Sequence, residues 1–488
     1  MQKNRQQTPL IIGFEGTRLD RQWRRHLQEI DPAGVILFRR NIQSLEQTRD
    51  LVGELKDLLT EPIISVDHEG SIVNRFPTDC PVPPSPAALH ASGSLDLVRS
   101  ACRIQAQLLS YLGINLNFVP LVDLALHLEN QVIGTRAFSS DPKKVAAFAR
   151  ISVQEHSKLG IGTTAKHFPT HGRSIIDTHE TSGVCEHQGQ EQLDQDLYPY
   201  KKAILEGLPA VMTAHLTFPL LDNELPSSLS RPVIGDLLRT DLGFEGIVIS
   251  DCVEMKGLSD AFTPKQIIEL GLLAGVDLFI SSYSLKRSRS HQLRLAEAAQ
   301  AFLAENPLIA RTIEQRCNTL KNLQQKKHSQ QIPSLKETLD LHRKTLEKAV
   351  CRPLATPQKG FCLIELSDRH KRGINTEALG SIVTDQLLAH CQGIISSTVM
   401  TGGEEQVLER VIAAADADGM TCVFLSADGY RNEGFDRICH HLEAANAVIH
   451  IALLDPSDLG KRFHLEWATR GFNACTGRML ADELNALC

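Results

Sequence analysis

The stretch DPKKVAAFARISVQEHSKLGIGTTAKHF, residues 141–168, decides the fold because it contains a helix followed directly by a strand. Residues 141–160 have helical periodicity and are long enough to cross from one parallel strand to the next. Residues 162–168 form a short run with strand character. A unit of this kind is the building block of an α/β fold with a parallel sheet.

The same alternation of a short apolar run and a helical segment recurs from residue 10 to residue 282. Runs that are almost continuously apolar suit parallel strands that are buried on both faces. Eight such runs are LIIGFEG (10–16), GVILFRR (34–40), IISVDHEG (63–70), LNFVPLVDL (116–124), GTTAKHF (162–168), AVMTAHL (210–216), GIVISD (246–251) and DLFISS (277–282). Eight units predict a (β/α)8 TIM-type barrel, so the predicted fold class is α/β.

Polar side chains cluster at the points where these runs end. The set consists of Asp67, Glu69, Asp123, Lys166, His167, His215 and Asp251. The carboxyl ends of the strands of such a barrel converge on one mouth, so residues that are distant in sequence can share a site. The sequence therefore predicts an active site at this mouth.

The pattern changes after residue 283, where helices rich in Leu, Ala, Glu, Lys and Arg follow. We expect the catalytic barrel to span residues 1–335, a helical connector to span 336–360 and a smaller α/β sandwich-like domain to span 361–488. Strand-like runs in that last domain are FCLIEL (361–366), GIISSTV (393–399), TCVFLSA (421–427) and AVIHIALL (447–454). It has neither a Walker A nor a GxGxxG motif, so we assign it no chemistry.

Composition argues against several classes of partner. A net charge of −7 without a basic block makes nucleic acid an unexpected ligand. No apolar run approaches the roughly 18 residues that a membrane span needs, and the N-terminus lacks the pattern of a signal peptide. The twelve cysteines are scattered singly without metal-binding spacing. We therefore expect a cytoplasmic protein with reduced thiols, no metal and no cofactor, and its oligomeric state stays open.

The densest group of ionisable residues is AKHFPTHGRSIIDTHET, residues 165–181. Taken alone, it is equally well explained as a solvated polar loop. Together with VDHEGSIVNRF (66–76) and ISDCVEM (249–255), however, KHFPTHG and the following DTH resemble the motifs of family 3 glycoside hydrolases, in particular their bacterial β-N-acetylglucosaminidase branch. The three motifs occur in the same order, and each lies at the end of an independently predicted strand.

The resemblance implies a retaining hydrolase that releases terminal N-acetylglucosamine through a covalent intermediate. The family's SD-x-x-x-M pattern makes Asp251 the nucleophile, whereas the residues alone also allow Asp251 to cap a helix that begins near Val253. The general acid/base of this branch is a His that an Asp two residues earlier orients. Here these residues are His179 and Asp177. Imidazole titrates near neutral pH, so it can both give and accept the proton.

The same motifs imply which residues bind the hydroxyl groups and the acetamide of the sugar. They are Asp67, Arg75, Arg136, Lys166 and His167. Charge-assisted hydrogen bonds from such groups are strong and directional in a partly dry pocket. His215 is added because its run, MTAHL, ends at the same mouth. The two arginines also fit ordinary ion pairing at the barrel rim.

Several positions depart from the family's usual motifs. Thr170 replaces the Gly of KHFPGHG, Arg173 replaces an acidic residue after HG, and His68 replaces Gln. Ser71 and Ile72 stand where a Gly-Arg pair is usual. A position that needs a positive φ tolerates Thr poorly, so we expect the loop to adjust. The sugar preference, rather than the reaction, is what these changes affect.

Other functions stay open at this point. Lys166 at a strand end also suits a Schiff-base lyase or aldolase, and a decayed hydrolase scaffold suits a non-catalytic sugar-binding protein. Within the family, the alternatives are another β-glycosidase or a phosphorylase, because a neutral imidazole repels phosphate less than a carboxylate does. The resemblance suggests N-acetylglucosaminyl-anhydromuramic fragments from peptidoglycan recycling as substrate, but residue spacing does not distinguish these from chitooligosaccharides.

Overall fold

The computed structural model divides into two compact units. One comprises Met1–Glu69, Asn74–Pro77 and Cys102–Pro333, and the other comprises Gly70–Val73, Thr78–Ala101 and Ser334–Cys488. The structure describes residues 7–70, 73–77, 80–127, 130, 132–174, 176, 178, 181–284, 288–323, 331–349, 361–366, 394–400, 421–426, 448–452 and 465–468. Because residues 350–360 lie outside these ranges, the predicted connector and domain boundaries stay a prediction.

The described strands are numbered in chain order. They are β1 (Thr8–Ile12), β2 (Pro32–Leu37), β3 (Ile63–Val66), β4 (Leu116–Asn117), β5 (Gly162–Phe168), β6 (Gly183–Val184), β7 (Ala210–Thr213), β8 (Leu216–Phe218), β9 (Asp222–Pro226), β10 (Ile247–Cys252), β11 (Leu278–Ser281), β12 (Phe361–Leu366), β13 (Ile394–Met400), β14 (Thr421–Ser426), β15 (Val448–Ala452) and β16 (Leu465–Ala468).

The described α-helices are α1 (Arg21–Ile30), α2 (Leu45–Leu58), α3 (Pro86–Ala91), α4 (Leu95–Leu112), α5 (Pro142–Lys158), α6 (Gln190–Leu205), α7 (Lys256–Ser259), α8 (Pro264–Ala274), α9 (Arg289–Glu305), α10 (Pro307–Leu323) and α11 (Leu335–Ala349). A π-helix spans Pro232–Asp241. Local chemistry sets where α5 begins, since the Asp141 carboxylate accepts from the Lys143 N–H and Pro142 occupies the first helical position. No described helix has the length and apolar composition to cross a membrane.

Eight parallel strands close into a barrel, and the predicted TIM-type fold is confirmed. Around the barrel the order is β1, β2, β3, β4, β5, β7, β10 and β11, and β11 pairs with β1 to close it. Every residue of β1, β2, β3 and β5 is buried. This burial on both faces is the physical reason why the strands read as continuous apolar runs.

The structure shortens some predicted strands and adds others. The run 116–124 contributes only Leu116–Asn117 as β4, because Pro120 has no N–H to donate to a neighbouring strand. The run 63–70 likewise ends at Val66, so the polar residues after it belong to the loop. A separate three-stranded sheet of β6, β8 and β9 was not predicted, since β6 and β8 are too short to show an apolar pattern and β9, DNELP, is mostly polar.

The second unit contains a five-stranded parallel sheet of order β13, β12, β14, β15, β16. Each of the four predicted runs of this region coincides with one of these strands to within two residues at either end, and β12 matches residues 361–366 in full. β16 was not predicted. With its strands renumbered from one, the order 2-1-3-4-5 is that of a doubly wound α/β sheet, so the predicted α/β class of this region is confirmed.

Candidate active site

The predicted strand-end residues meet at the carboxyl mouth of the barrel. Asp67 follows β3, Lys166 and His167 lie in the last part of β5, and Asp251 lies near the end of β10. The Asp251 side chain is 24% exposed and that of Asp67 is 18% exposed, while the Lys166 side chain is buried. The two carboxylates are therefore accessible at the mouth, whereas the Lys166 ammonium group is shielded from solvent.

A network of buried charges lies beneath this opening. Lys166 Nζ is 2.7 Å from Asp67 Oδ1 and 2.6 Å from Glu69 Oε1. Arg136 binds Glu69 with two parallel hydrogen bonds of 2.8 Å and donates a third, of 2.7 Å, to the Val132 carbonyl. Burial raises the pKa of Glu69, but the charges of Arg136 and Lys166 outweigh burial and hold that pKa below its usual value. The carboxylate therefore stays ionised.

The electrostatics of Lys166 contradict the Schiff-base hypothesis. Burial lowers the pKa of Lys166, but the charges of Asp67 and Glu69 outweigh burial and raise it. A lysine that attacks a carbonyl must lose its proton near neutral pH, which requires a shift in the opposite direction. Lys166 is therefore a charged hydrogen-bond donor and not a nucleophilic amine.

Arg75 lies farther from its partner than the other cations do. Its Nη2 atom is 3.6 Å from Asp67 Oδ2, and its guanidinium lies 5.5 Å from the centre of the Phe38 ring. Its side chain is 15% exposed. Of the predicted substrate-binding arginines, Arg75 is thus the more accessible, whereas Arg136 is 7% exposed and directs its guanidinium to Glu69.

Asp123 orients His167 towards Asp251. The Asp123 carboxylate is fully buried, and its Oδ2 accepts from His167 Nδ1 at 2.8 Å. Its oxygens also accept from the backbone N–H groups of His167 at 3.2 Å and of His171 at 2.6 Å. Because a carboxylate oxygen accepts, Nδ1 carries the hydrogen and Nε2 is directed towards Asp251, whose Oδ2 is 4.0 Å away.

Neighbouring residues hold the end of β10, which carries Asp251. Asp251 Oδ1 accepts from the Cys252 N–H at 2.7 Å, and His215 Nε2 donates to the Cys252 carbonyl at 3.1 Å. The other ring nitrogen of His215 is 2.8 Å from the Ser228 hydroxyl. The helix α7 begins at Lys256 and is preceded by Met255, so Asp251 is not its N-cap residue. His215 thus supports the strand end at this mouth.

The predicted acid/base pair, Asp177 and His179, lies outside the described residues. Thr178, between them, is described, and its carbonyl accepts from the Gly257 N–H at 3.0 Å. Gly257 lies in α7, which follows β10 and the ISDCVEM motif, so this hydrogen bond joins the segment that carries the predicted acid/base to the helix just after the predicted nucleophile.

The departures from the family motifs have local explanations. Thr170 has no positive φ, and its hydroxyl accepts from the Gly172 N–H at 3.1 Å, so no glycine is needed there. Burial lowers the pKa of His68 to about 3, with a further contribution from His156, and the substitution for Gln therefore exchanges one neutral side chain for another. Ser71 and Ile72 lie outside the described residues.

Gly172 is required for close packing. A Cβ atom at this position would lie 2.4 Å from the Leu124 carbonyl oxygen, which is closer than real Cβ atoms approach. The last glycine of the KHFPTHG motif is thus explained by the contact of this loop with the segment after β4.

Sequence reasoning assigned no role to Glu69, Asp123 and Glu254. Glu254 is buried and its carboxylate accepts from the hydroxyls of Ser281 at 2.6 Å and Ser282 at 3.1 Å, which joins the ends of β10 and β11. The signal for Glu69 and Asp123 was present, since both close an apolar run. Their partners lie 67 and 44 residues away, so only the fold reveals them. Within the described residues, no three His, Cys, Asp or Glu side chains group as metal ligands.

Comparisons with known proteins identify the family of this chain. Residues 7–312 match the family model described as the glycosyl hydrolase family 3 N terminal domain. The beta-hexosaminidase of Stenotrophomonas maltophilia (strain K279a) is 37% identical over 278 residues, which cover 56% of this chain and 82% of that protein. The beta-hexosaminidase of Nitrosospira multiformis is 34% identical over 304 residues, which cover 61% and 83%.

Two solved structures share the fold over nearly the whole chain. A glycoside hydrolase family 3 beta-N-acetylglucosaminidase from Paenibacillus sp. str. FPU-7 has a TM-score of 0.84 at 24% identity and covers 98% of this chain and 95% of that one. The beta-glucoside phosphorylase BglX bound to 2FGlc has a TM-score of 0.73 at 16% identity and covers 99% and 92%. The predicted family is confirmed: this chain belongs to glycosyl hydrolase family 3 and is a glycoside hydrolase.

Proposed function

We propose that this glycoside hydrolase is a retaining β-N-acetylhexosaminidase that releases terminal N-acetylglucosamine, with Asp251 as nucleophile. The observation that carries the proposal is the meeting of an accessible Asp251 carboxylate with His167, 4.0 Å away, on the barrel mouth that also presents Asp67 and Arg75. The beta-hexosaminidase relatives, of which this chain covers more than four fifths, support the sugar class.

The proposed reaction has two displacements at the anomeric carbon. In the first, an Asp251 oxygen bonds to that carbon while the bond to the leaving oxygen breaks, and the proton of the His179 imidazolium passes to the leaving oxygen. In the second, water attacks the same carbon, the bond to Asp251 breaks and His179 takes the proton of the water. Asp177 supports the imidazolium charge.

The buried charges give the binding residues different tasks in this proposal. Asp67 and Arg75 are partly exposed and contact the sugar hydroxyls directly. Lys166 and Arg136 act from beneath, since their charges are committed to Asp67 and Glu69. We further propose that His167 contacts the sugar beside the scissile bond, because Asp123 directs its Nε2 atom to that position.

A panel of aryl β-glycosides tests the proposal. Wild type should hydrolyse the N-acetylglucosaminide selectively, Asp251→Ala should abolish turnover, and Asp260→Ala, at an exposed position nearby, should leave it unchanged. His179→Ala should spare activated leaving groups more than poor ones, because activated groups need less protonation. A fluorinated substrate that slows the second displacement should leave an adduct on Asp251, detectable by peptide mass spectrometry. Full activity in Asp251→Ala would end the proposal.

Phosphorolysis is a second candidate, which the similarity in fold to a beta-glucoside phosphorylase favours. An imidazole as acid/base adds no negative charge to repel incoming phosphate. Turnover in phosphate buffer decides between the two: a phosphorylase forms the sugar 1-phosphate in proportion to phosphate, whereas a hydrolase forms free sugar at every phosphate concentration.

The natural substrate that we propose is a fragment of peptidoglycan, N-acetylglucosaminyl-anhydromuramic acid, recycled in the cytoplasm. Chitooligosaccharides are the competing class. Comparison of kcat/KM on the muropeptide fragment and on chitobiose distinguishes them, and a higher value on chitobiose would contradict the proposal.

A further inference from the structure

The carboxylate of Asp196 lies where the two ends of one loop meet. Its Oδ2 atom is 2.6 Å from Arg173 Nε and 2.9 Å from His187 Nε2. Arg173 follows the KHFPTHG motif directly, and His187 follows β6. The side chain of Asp196 is fully buried, and those of Arg173 and His187 are 12% and 1% exposed, so both contacts are shielded from water.

Charge chemistry makes both contacts strong. A guanidinium that donates to a buried carboxylate forms a charge-assisted hydrogen bond, which is about twice as strong as a neutral one. Arg173 extends the attachment through its Nη2 atom, which lies 3.3 Å from the Gln192 carbonyl and 3.3 Å from Gln195 Oε1. Because the carboxylate accepts, His187 contributes its Nε2–H. Arg173 is thus bound by three groups of α6, and one of these, the Asp196 carboxylate, also binds His187.

The helix that carries Asp196 is itself attached to the barrel. Tyr200 lies one turn after Asp196 on α6, and its ring packs edge-on against Phe168 of β5, with the ring centres 5.1 Å apart. Phe168 is part of the KHFPTHG motif. A continuous path of packed groups therefore runs from the strand through α6 to both ends of the loop.

We propose that Asp196 is a positioning residue, which fastens both ends of the segment 173–187 and thereby sets the reach of His179. This inference rests on the proposed acid/base role of His179. A misplacement of about 1 Å at a reacting group can reduce a rate about 100-fold. Arg173, which departs from the family motif, binds Asp196 in this proposal. An acidic residue at position 173 could not do so, because its carboxylate would repel the Asp196 carboxylate.

Two substrates separate positioning from a merely structural role. Asp196→Asn and Arg173→Gln should lower kcat/KM about 10- to 100-fold on phenyl β-N-acetylglucosaminide, which needs protonation, and much less on the 2,4-dinitrophenyl analogue. Arg173→Lys should restore part of the loss because it keeps the charge. The matched control is Arg24→Gln, which breaks an ion pair of 2.8 Å with Glu54 on the barrel surface and should affect neither substrate.

Proteolysis tests the fastening without reference to catalysis. In limited digestion with thermolysin, Asp196→Asn should be cleaved between residues 173 and 187 faster than wild type or Arg24→Gln. Unchanged cleavage there, or an equal loss of rate on both aryl substrates, overturns the inference. Absence of any wild-type turnover, or no leaving-group preference in His179→Ala, instead contradicts the proposed function. In that case the rate of cleavage between residues 173 and 187 alone tests whether Asp196 holds this segment.

Discussion

Replacing Glu69 by Gln should destabilise the barrel strongly. The Glu69 side chain is 2% exposed and lies between two cations, Lys166 at 2.6 Å and Arg136 at 2.8 Å. Gln has nearly the same shape, so the change removes one negative charge and leaves two buried cations, of which Lys166 keeps its ion pair with Asp67. Breaking a buried ion pair on one side costs about 3–5 kcal/mol. That loss shifts the unfolding equilibrium about 10²- to 10⁴-fold.

The effect should depend on pH in a definite direction. The folded state holds the pKa of Glu69 below its ordinary value of 4.5, since Arg136 and Lys166 outweigh the effect of burial. A depressed carboxyl pKa contributes stability that is complete above the unfolded pKa and is lost as pH falls through the folded pKa. The difference between wild type and Glu69→Gln should therefore be constant from about pH 6 to pH 8 and shrink below about pH 4.

Urea unfolding followed by tryptophan fluorescence measures this difference. The chain has two tryptophans, Trp23 in α1 of the barrel and Trp467 in β16, so a Trp467→Phe background leaves a reporter of the barrel alone. Glu269→Gln is the matched control, because Glu269 forms an exposed pair of 3.7 Å with Lys265, which contributes about 0–1 kcal/mol. A loss in Glu69→Gln no larger than in the control, or a difference that grows on acidification, would refute the reasoning.

Three further outcomes follow from the site. Asp123→Asn should lower kcat/KM on aryl N-acetylglucosaminides at least about 10-fold, because His167 loses the carboxylate that sets its tautomer; wild-type kinetics in a folded variant would contradict this. Gly172→Ala should reduce both activity and stability, since its Cβ would meet a carbonyl oxygen at 2.4 Å. Gly53→Ala has open space around it and should instead stabilise the fold by about 0.5–1 kcal/mol, so equal thermal shifts of the two variants would contradict this contrast. Cys252 is partly exposed, but burial of its thiol, together with the Glu254 charge, raises its pKa to about 12, so iodoacetamide at pH 8 should label it much more slowly in the native protein than in urea. Peptide mass spectrometry measures both rates, and equal rates would contradict this.

Local pattern predicted the barrel because its determinants are local. Each barrel strand is a short apolar run, and its continuous burial is written into consecutive residues. Where a run is interrupted, as by Pro120 after β4, the prediction was too long by several residues. Strands of two or three residues, such as β6 and β8, carry too few side chains to show a period and were missed.

Motif reasoning correctly placed Asp251, Lys166 and His167 at one barrel mouth, because each lies near the end of a strand and belongs to a contiguous motif. It did not reveal that Asp123 orients His167. Asp123 lies in the segment after β4 and His167 lies in β5, and nothing in either local sequence specifies the other. At Thr170 the motif was misleading in the other direction. The usual Gly suggested a backbone with positive φ, but Thr170 has no positive φ in the structure.

The amino-acid sequence by itself determined the number of barrel strands and the family motifs at their ends, because hydrophobic periodicity and residue identity are properties of neighbouring residues. Only the tertiary structure decided which charges pair. The pair of Glu69 and Arg136 spans 67 residues of sequence, and the pair of Arg173 and Asp196 spans 23. Both pairs form only when the barrel closes and α6 packs on it. Coulombic partners are selected by distance through space, and a linear chain does not contain that distance until it has folded.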